Sequence, residues 1–219
     1  MVDPALTASA NRQLLVAGSL NLDLVGRAPR IPAPGQTVLG GALSRHAGGK
    51  GGNQAVAAAR LGVRVQMAAA VGRDAAGEEL AAGLAREGID TGALLRVDEP
   101  TGAALITVSE AGENAITVLP GANRFAPAPP ARWPAEAGWL LLQLEIPLQT
   151  NLAWARAARA AGARVMLNAA PAAALPPELL QALDVLVVNE NELLALAEGA
   201  DPGGATGAAS GHDALEPAL

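Results

Sequence analysis

The sequence predicts an α/β domain built on a mostly parallel central sheet, and three features predict it. Short apolar runs that read as buried strands alternate with stretches of helical periodicity, the rhythm of right-handed β-α-β crossovers. At 219 residues the chain suits one sizeable domain rather than two. It is 51% hydrophobic and 16% charged, so a core is available and global disorder is not expected. With one Phe, three Trp and no Tyr, that core must be built from Ala, Leu and Val.

In chain order, QLLVAGSL (Gln13–Leu20) is an apolar run ending in Gly-Ser, a buried-strand signal. TVLGGALSRHA is more polar and glycine-broken, as in an edge or peripheral strand. NQAVAAARLG reads as a helix with Asn53 near its start and Gly62 past its end. VRVQMAAAVG is a strand, and AAGEELAAGLAREG a helix closed by Gly88. GAALITVSEAGENAITVL divides into two alternating runs around EAGEN, a hairpin that breaks the rhythm and is expected outside the main sheet. WLLLQLE and ARVMLNAA are buried strands around the helix QTNLAWARAARAAG, and LDVLVVNE is a strand leading into the helix NELLALAEG. Residues 199–219 are rich in Gly, Ala and Pro without periodicity and read as a disordered tail. No repeat of fixed period is visible.

A net charge of −6 argues against nucleic acid, whose affinity is built by neutralising phosphates. The absence of Cys excludes disulfide and thiolate chemistry. No apolar run approaches the roughly 18 residues of a membrane span. The leader MVDPALTASANRQ lacks a basic start and an apolar middle, so a signal peptide is not expected and a cytoplasmic protein is.

The stretch RHAGGKGGNQAVAAARLG (Arg45–Gly62) sets a single lysine among four glycines. A P-loop requires Ser or Thr after Gly-Lys, but Lys50 is followed by Gly51. A dinucleotide fingerprint requires G-x-G-x-x-G directly after a strand, and here the third glycine is misplaced. One physical reading is that bare backbone N–H groups at a helix N-terminus meet a hydroxyl-rich ligand, with Lys50 and Asn53 as added donors. The other is a tight turn with Asn53 as an ordinary helix cap. In GSLNLD, Asn21 and Asp23 are two residues apart and face one side if the backbone is extended; a strand-end turn is the alternative. Glu145 ends an apolar strand where open α/β sheets bind ligands. In VVNENE, Asn189 and Glu192 stand at a helix start and first turn, where a cap with acidic first-turn residues is the simpler reading.

Taken together these motifs resemble the ribokinase (PfkB-type carbohydrate kinase) family. GGKGGNQAVAAARLG is similar to its first signature, and GSLNLD, PAPGQTVLG, VGRDAAGEEL, TGAALITVSEAGENAITVLPGAN, LLLQLEIPL and NENE fall in its order between Leu14 and Glu198. The resemblance implies a ribokinase-like three-layer α/β/α domain with a mostly parallel central sheet, incomplete here, and a small β-lid at about 34–47 and 94–119. Residues 1–198 would be the sugar-binding part. The implied reaction is ATP-dependent phosphorylation of the D-ribose 5-hydroxyl. Asn21, Asp23, Gly49, Lys50, Asn53 and Glu145 would hold the sugar, Asn189 the nucleotide region and Glu192 the Mg²⁺. A homodimer through the lid is implied, as is a K⁺ site outside this chain.

Two departures stand out. LNAAP (Leu167–Pro171) replaces the family's usual Asn-Pro-Ala-Pro, which is expected to loosen the turn. The family's Gly-Ala-Gly-Asp, which supplies the catalytic base and anion hole, does not occur, and the SGHD at Ser210–Asp213, with His212, is not a substitute. The expectations are therefore a chain truncated before the ATP-binding part, with little or no kinase activity, and a sheet edge left unpaired after LVVNE. The alternatives are a sugar-binding fragment without kinase activity, or a related kinase acting on another sugar or nucleoside.

Overall fold

The computed structural model describes residues 13–198. The leader read for a signal peptide, the tail read as disordered and the SGHD echo lie outside the described residues. Six parallel strands form the main sheet in the order β10-β9-β8-β1-β4-β5. They are β1 (Gln13–Ala17), β4 (Val65–Gly72), β5 (Asp90–Val97), β8 (Ala137–Gln143), β9 (Arg164–Asn168) and β10 (Val185–Val187). The chain leaves β1, crosses to β4 and β5 on one side, then returns to β8, β9 and β10 on the other. That reversal puts a crevice at the carboxyl ends of β1 and β8, the place where open α/β sheets bind ligands.

Helices cover both faces, making the expected three layers. Along β1, Leu15 and Ala17 join a cluster with Leu140, Leu142, Trp154, Leu167 and Leu179, whereas Val16 points the other way to Met67, Val71, Leu80 and Leu84. The first cluster is covered by α3 (Leu148–Ala160) and α4 (Pro177–Gln181), the second by α1 (Lys50–Arg60) and α2 (Ala75–Arg86). Small residues let these layers approach closely. The face α1 buries is Gly51, Gly52 and Ala55, and the Ala68, Ala69 and Ala70 of β4 are buried on both sides of the sheet. Trp154 is the largest fully buried side chain; it meets Trp133 edge-on at 6.0 Å and donates to the Pro127 carbonyl. The third tryptophan, Trp139 of β8, lies under the Arg164 guanidinium.

A second sheet of four strands has the order β3-β2-β6-β7, formed by β2 (Asn21–Ala28), β3 (Leu43–Gly48), β6 (Gly102–Ser109) and β7 (Asn114–Leu119). The expected hairpin is β6–β7, and it does sit outside the main sheet. The hairpin keeps its expected bounds, whereas the lid as a whole differs from the expected 34–47 and 94–119 in two ways. Residues 94–97 belong to β5 and pair with β4 in the main sheet, and the 34–42 segment forms no strand. The strand β2, read from sequence only as GSLNLD, is the one that joins β3 to β6. Helix α1 starts at Lys50, three residues before the Asn53 read as its start, and Gly62 follows its end at φ +84°.

Two turns at strand ends are fixed by side chains and backbone that the sequence reading left open. Asp74, the N-cap of α2, accepts from Gly77 N–H at 2.8 Å, from Thr101 N–H at 2.8 Å and from Thr101 Oγ1–H at 2.6 Å. It thereby ties a main-sheet helix to the residue before lid strand β6. At LNAAP, Ala169 N–H donates to Val187 O at 2.9 Å, a bond proline could not make, so the departure exchanges the fixed φ of proline for a hydrogen bond at the β9–β10 junction.

Desolvation alone would lift the Asp74 carboxyl, but the Thr101 hydroxyl and the Thr101 and Gly77 amides outweigh it and hold it below the usual carboxylate range. A depressed folded pKa stabilises above the unfolded pKa, and that contribution fades as pH falls through the folded value. Asn can still cap the helix but not accept both Thr101 bonds as a carboxylate does, so Asp74→Asn is expected to lower stability by about 1 kcal/mol at neutral pH, with the gap to wild type closing below pH ~4. Thermal melts of both proteins across pH 3–7 check this.

Candidate functional site

The site is assembled where β1 and β8 end. Beyond β1, Ser19 donates its hydroxyl to Glu145 Oε2 at 2.5 Å, and the same oxygen accepts the Lys50 N–H at 2.9 Å. Gly51 N–H reaches Ser19 Oγ at 3.3 Å, and Gly52 N–H reaches the Ser19 carbonyl at 3.0 Å. The first-turn amides of α1 are thus taken up by Ser19 and Glu145. This corrects the expectation that they are presented bare to a ligand. Asn53 N–H bonds the Gly49 carbonyl inside the helix, and the N-cap position is Gly49, which has no side chain, so Asn53 is not the cap of α1.

The glycines have a packing cause. A Cβ on Gly51 would lie 2.7 Å from Ser19 N, and one on Gly49 would lie 2.8 Å from both Asn21 N and Ser19 O. On Gly48 it would fall 2.2 Å from the Asp23 carboxylate. The bare run lets α1 and β3 press against the segment Gly18–Asp23, with Gly49 also at φ +84°, where a side chain is strained.

Asn21 and Asp23 lie on β2 and share one face of the lid sheet, since alternate strand residues point the same way. In register, Asp23 lies opposite Ala104 of β6 and His46 of β3. Burial raises the Asp23 carboxyl above the usual carboxylate range, the Glu145 charge adds to this, and His46 opposes it. Asn21 is buried, and its Oδ1 accepts from Asn123 Nδ2 at 2.8 Å. Asn123, in a 3₁₀ turn (Gly121–Phe125) after β7, was not singled out from sequence; only the motif LPGAN contains a hint of it. Ser19 was likewise overlooked, although it stands two residues before Asn21 in GSLNLD.

Two concavities divide the candidate residues. Asn21, Asn123 and Glu145 line one of about 440 Å³ beneath Val118 of the lid. Gly48 and Asn53 line a groove of about 490 Å³ between α1 and α2. Asp23 and Lys50 line neither, although Asp23 stands against Gly48 and Lys50 bonds Glu145 through its backbone. The deeper chemistry is in the smaller cavity, because there an amide and a carboxylate converge at the strand ends.

Asn189 and Glu192 stand apart, at the start of α5 (Glu190–Glu198), and form a reciprocal capping box. Asn189 N–H donates to Glu192 Oε2, and Glu192 N–H to Asn189 Oδ1, each at 2.8 Å. Asn189 Nδ2 and Glu192 Oε1 remain for other partners. Among the described residues no three Asp, Glu or His side chains gather to hold a metal. No helix there is long and apolar enough to cross a membrane.

Residues 11–216 match the pfkB family carbohydrate kinase model. The chain belongs to that family of carbohydrate kinases. It is 40% identical over 206 residues to the ribokinase of Haemophilus influenzae, covering 91% of this chain and 67% of that one. To the Schizosaccharomyces pombe ribokinase it is 38% identical, covering 86% of this chain and 63% of the relative. The structure of Arabidopsis thaliana ribokinase complexed with ribose and ATP superposes with a TM-score of 0.75 at 33% identity, over 85% of this chain and 63% of that one. Ribokinase from Cryptococcus neoformans in complex with ADP gives 0.75 at 38% identity, over 90% and 63%. The chain thus spans about two thirds of the length of these relatives.

Because the Asp23 carboxyl is raised, its stability sign is opposite to that of Asp74. The protonated form is favoured on folding, so stability is lost as pH rises from the unfolded pKa through the folded one. Asp23→Asn is expected to raise the melting temperature at pH 7, with the advantage vanishing at pH ~3.5. A Tm that falls at pH 7 would contradict this account of the Asp23 environment.

Proposed function

We propose that this chain supplies the sugar-holding part of an ATP-dependent ribose kinase. The observation that carries the reading is that Asn21 and Glu145 line one cavity at the β1–β8 switch point, with Asp23 near enough for its carboxyl to feel the Glu145 charge. A neutral amide and two carboxylates, held by Ser19, Asn123 and the α1 backbone, suit a ligand that offers several adjacent hydroxyls. Ribose is the choice within that class because similar chains are named ribokinases and one of them is complexed with ribose and ATP.

In this reading Asp23 and Glu145 accept hydroxyl protons and Asn21 donates. Gly49 seats the start of α1 against Ser19 and Asn21, and the Lys50 and Asn53 side chains reach the sugar from α1, Asn53 from the neighbouring α1–α2 groove. The lid shuts water out, which otherwise competes as a phosphoryl acceptor. Asn189 Nδ2 and Glu192 Oε1 stand toward the nucleotide and its Mg²⁺, an ion commonly bound by one or two carboxylates together with substrate phosphates. The bound Mg-ATP would supply the phosphoryl group, and K⁺ would act from outside these residues.

Phosphoryl transfer also needs an acceptor-activating base and an anion hole. No Gly-Ala-Gly-Asp occurs in the 219 residues, Glu145 is bonded to Ser19 and the Lys50 amide, and in this reading Asp23 and Glu145 hold the sugar rather than activate it. This chain by itself is accordingly expected to bind D-ribose without releasing ADP from Mg-ATP. Calorimetry should show binding that Asp23→Ala weakens at least about tenfold, and a coupled assay should show no turnover. Absence of ribose binding sinks the sugar reading, and ordinary turnover sinks the inactivity.

The lid also supports pairing of two copies. Leu43, Leu105 and Leu119 are exposed on one of its faces and Ile116 and Val118 on the other. Sedimentation should give a dimer that Leu105→Lys dissociates; a wild-type monomer at tens of micromolar would rule the pairing out.

A further inference from the structure

We propose that Asn123 is a positioning residue that turns Asn21 into a one-way hydrogen-bond donor toward the ligand. The inference rests on the sugar-site reading above and assigns a role to a residue outside the expected set. Asn123 is almost fully buried and spends both ends of its carboxamide on the β1–β2 junction. Its Oδ1 accepts the Leu20 N–H at 2.9 Å, while its Nδ2 donates to the Leu20 carbonyl at 3.2 Å and to Asn21 Oδ1 at 2.8 Å.

The orientation of an amide is ordinarily a choice made to suit its neighbours. Here the Leu20 backbone makes it. A backbone N–H can meet only the oxygen of Asn123 and a backbone C=O only its nitrogen, so the side chain has one permitted direction. Asn21 must then face Asn123 with its own oxygen, since two NH₂ groups would repel. The Asn21 Nδ2 is left without a protein partner among the described residues, on the wall of the cavity that Glu145 also lines. A ligand hydroxyl there is met by a donor at Asn21, and its own proton is directed elsewhere, to an acceptor such as a carboxylate.

The arrangement also links the site to the lid. Asn123 follows strand β7 through Pro120, and Gly102 opens strand β6 directly against the amide pair. A Cβ on Gly102 would lie 2.2 Å from Asn123 Nδ2 and 2.4 Å from Asn21 Oδ1. The amide pair therefore lies between the two segments that bound the lid hairpin: Asn123 at one end orients Asn21, and Gly102 at the other leaves room for the pair.

Calorimetry with D-ribose and its monodeoxy and monodeoxyfluoro analogues tests this on the full chain, with thermal melts to confirm folding. Fluorine can accept but not donate, so at the position facing Asn21 the fluoro analogue should bind wild type several-fold better than the deoxy one. In Asn123→Ala, where Asn21 can turn about, that preference should collapse toward unity and ribose affinity should fall about tenfold. Asn21→Asp keeps the acceptor for Asn123 but loses the donor, so it should stay folded and lose the same preference. Unchanged affinity and preference in Asn123→Ala would overturn the proposal. A ligand-free arm covers the remaining cases, including an Asn123→Ala that does not fold. By NMR one Asn123 δ2 proton should exchange at least about tenfold faster in Asn21→Ala than in wild type. Equal rates overturn the Asn123 bridge whether or not sugar binds, whereas slow exchange without any sugar binding rejects the sugar reading and, with it, the donor role toward ligand.

Discussion

The fold is organised around one carboxylate oxygen. Glu145 Oε2 receives both the Ser19 hydroxyl and the Lys50 amide, and so fastens the ends of β1 and β8 to the start of α1. An acidic group at a helix N-terminus satisfies an orphan donor and meets the positive end of the helix dipole. Because the chain adds strands to one side of β1 and then, from β8, to the other, the same oxygen lies at the crevice that this change of side creates. The close approach of Gly51 and Gly52 to Ser19 and Leu20 follows from it, and so does the direction in which β2 leaves for the lid.

The main-sheet strands and their helices were legible because each carries its own signal. β4 is an apolar run broken only by Gln66, α1, α2 and α3 each bury one face, and Gly62, Gly88 and Gly162 follow their ends with positive φ. Less legible were elements whose identity is decided by partners. β2 carries Asn21, Asp23 and Arg27 among apolar residues, and it is a strand because β3 and β6 pair with it on either side. β5 alternates weakly and is fixed by β4.

The site was legible in residue identity more than in role. Asn21 and Glu145 line one cavity and Asp23 feels the Glu145 charge, but the glycines flanking Lys50 serve the approach of one backbone to another rather than the display of their amides. Spacing does not distinguish those two uses, since both ask for the same missing Cβ. Asn189 and Glu192 satisfy a capping box, a function that spacing did suggest. Asn123 and Ser19 escaped notice because short polar residues in turns usually bond their own neighbours. Here they reach across more than a hundred residues of chain, Ser19 to Glu145 and Asn123 to Leu20 and Asn21.

The placement of the three tryptophans has a consequence for optical experiments. Trp133, Trp139 and Trp154 all belong to the half of the molecule built from β8, β9 and α3, and the lid strands contain no aromatic residue. With no Tyr in the chain, intrinsic fluorescence reports on that half alone. A detached or frayed lid would leave the emission unchanged, so a smooth fluorescence transition describes the body of the protein and is blind to the part that covers the site.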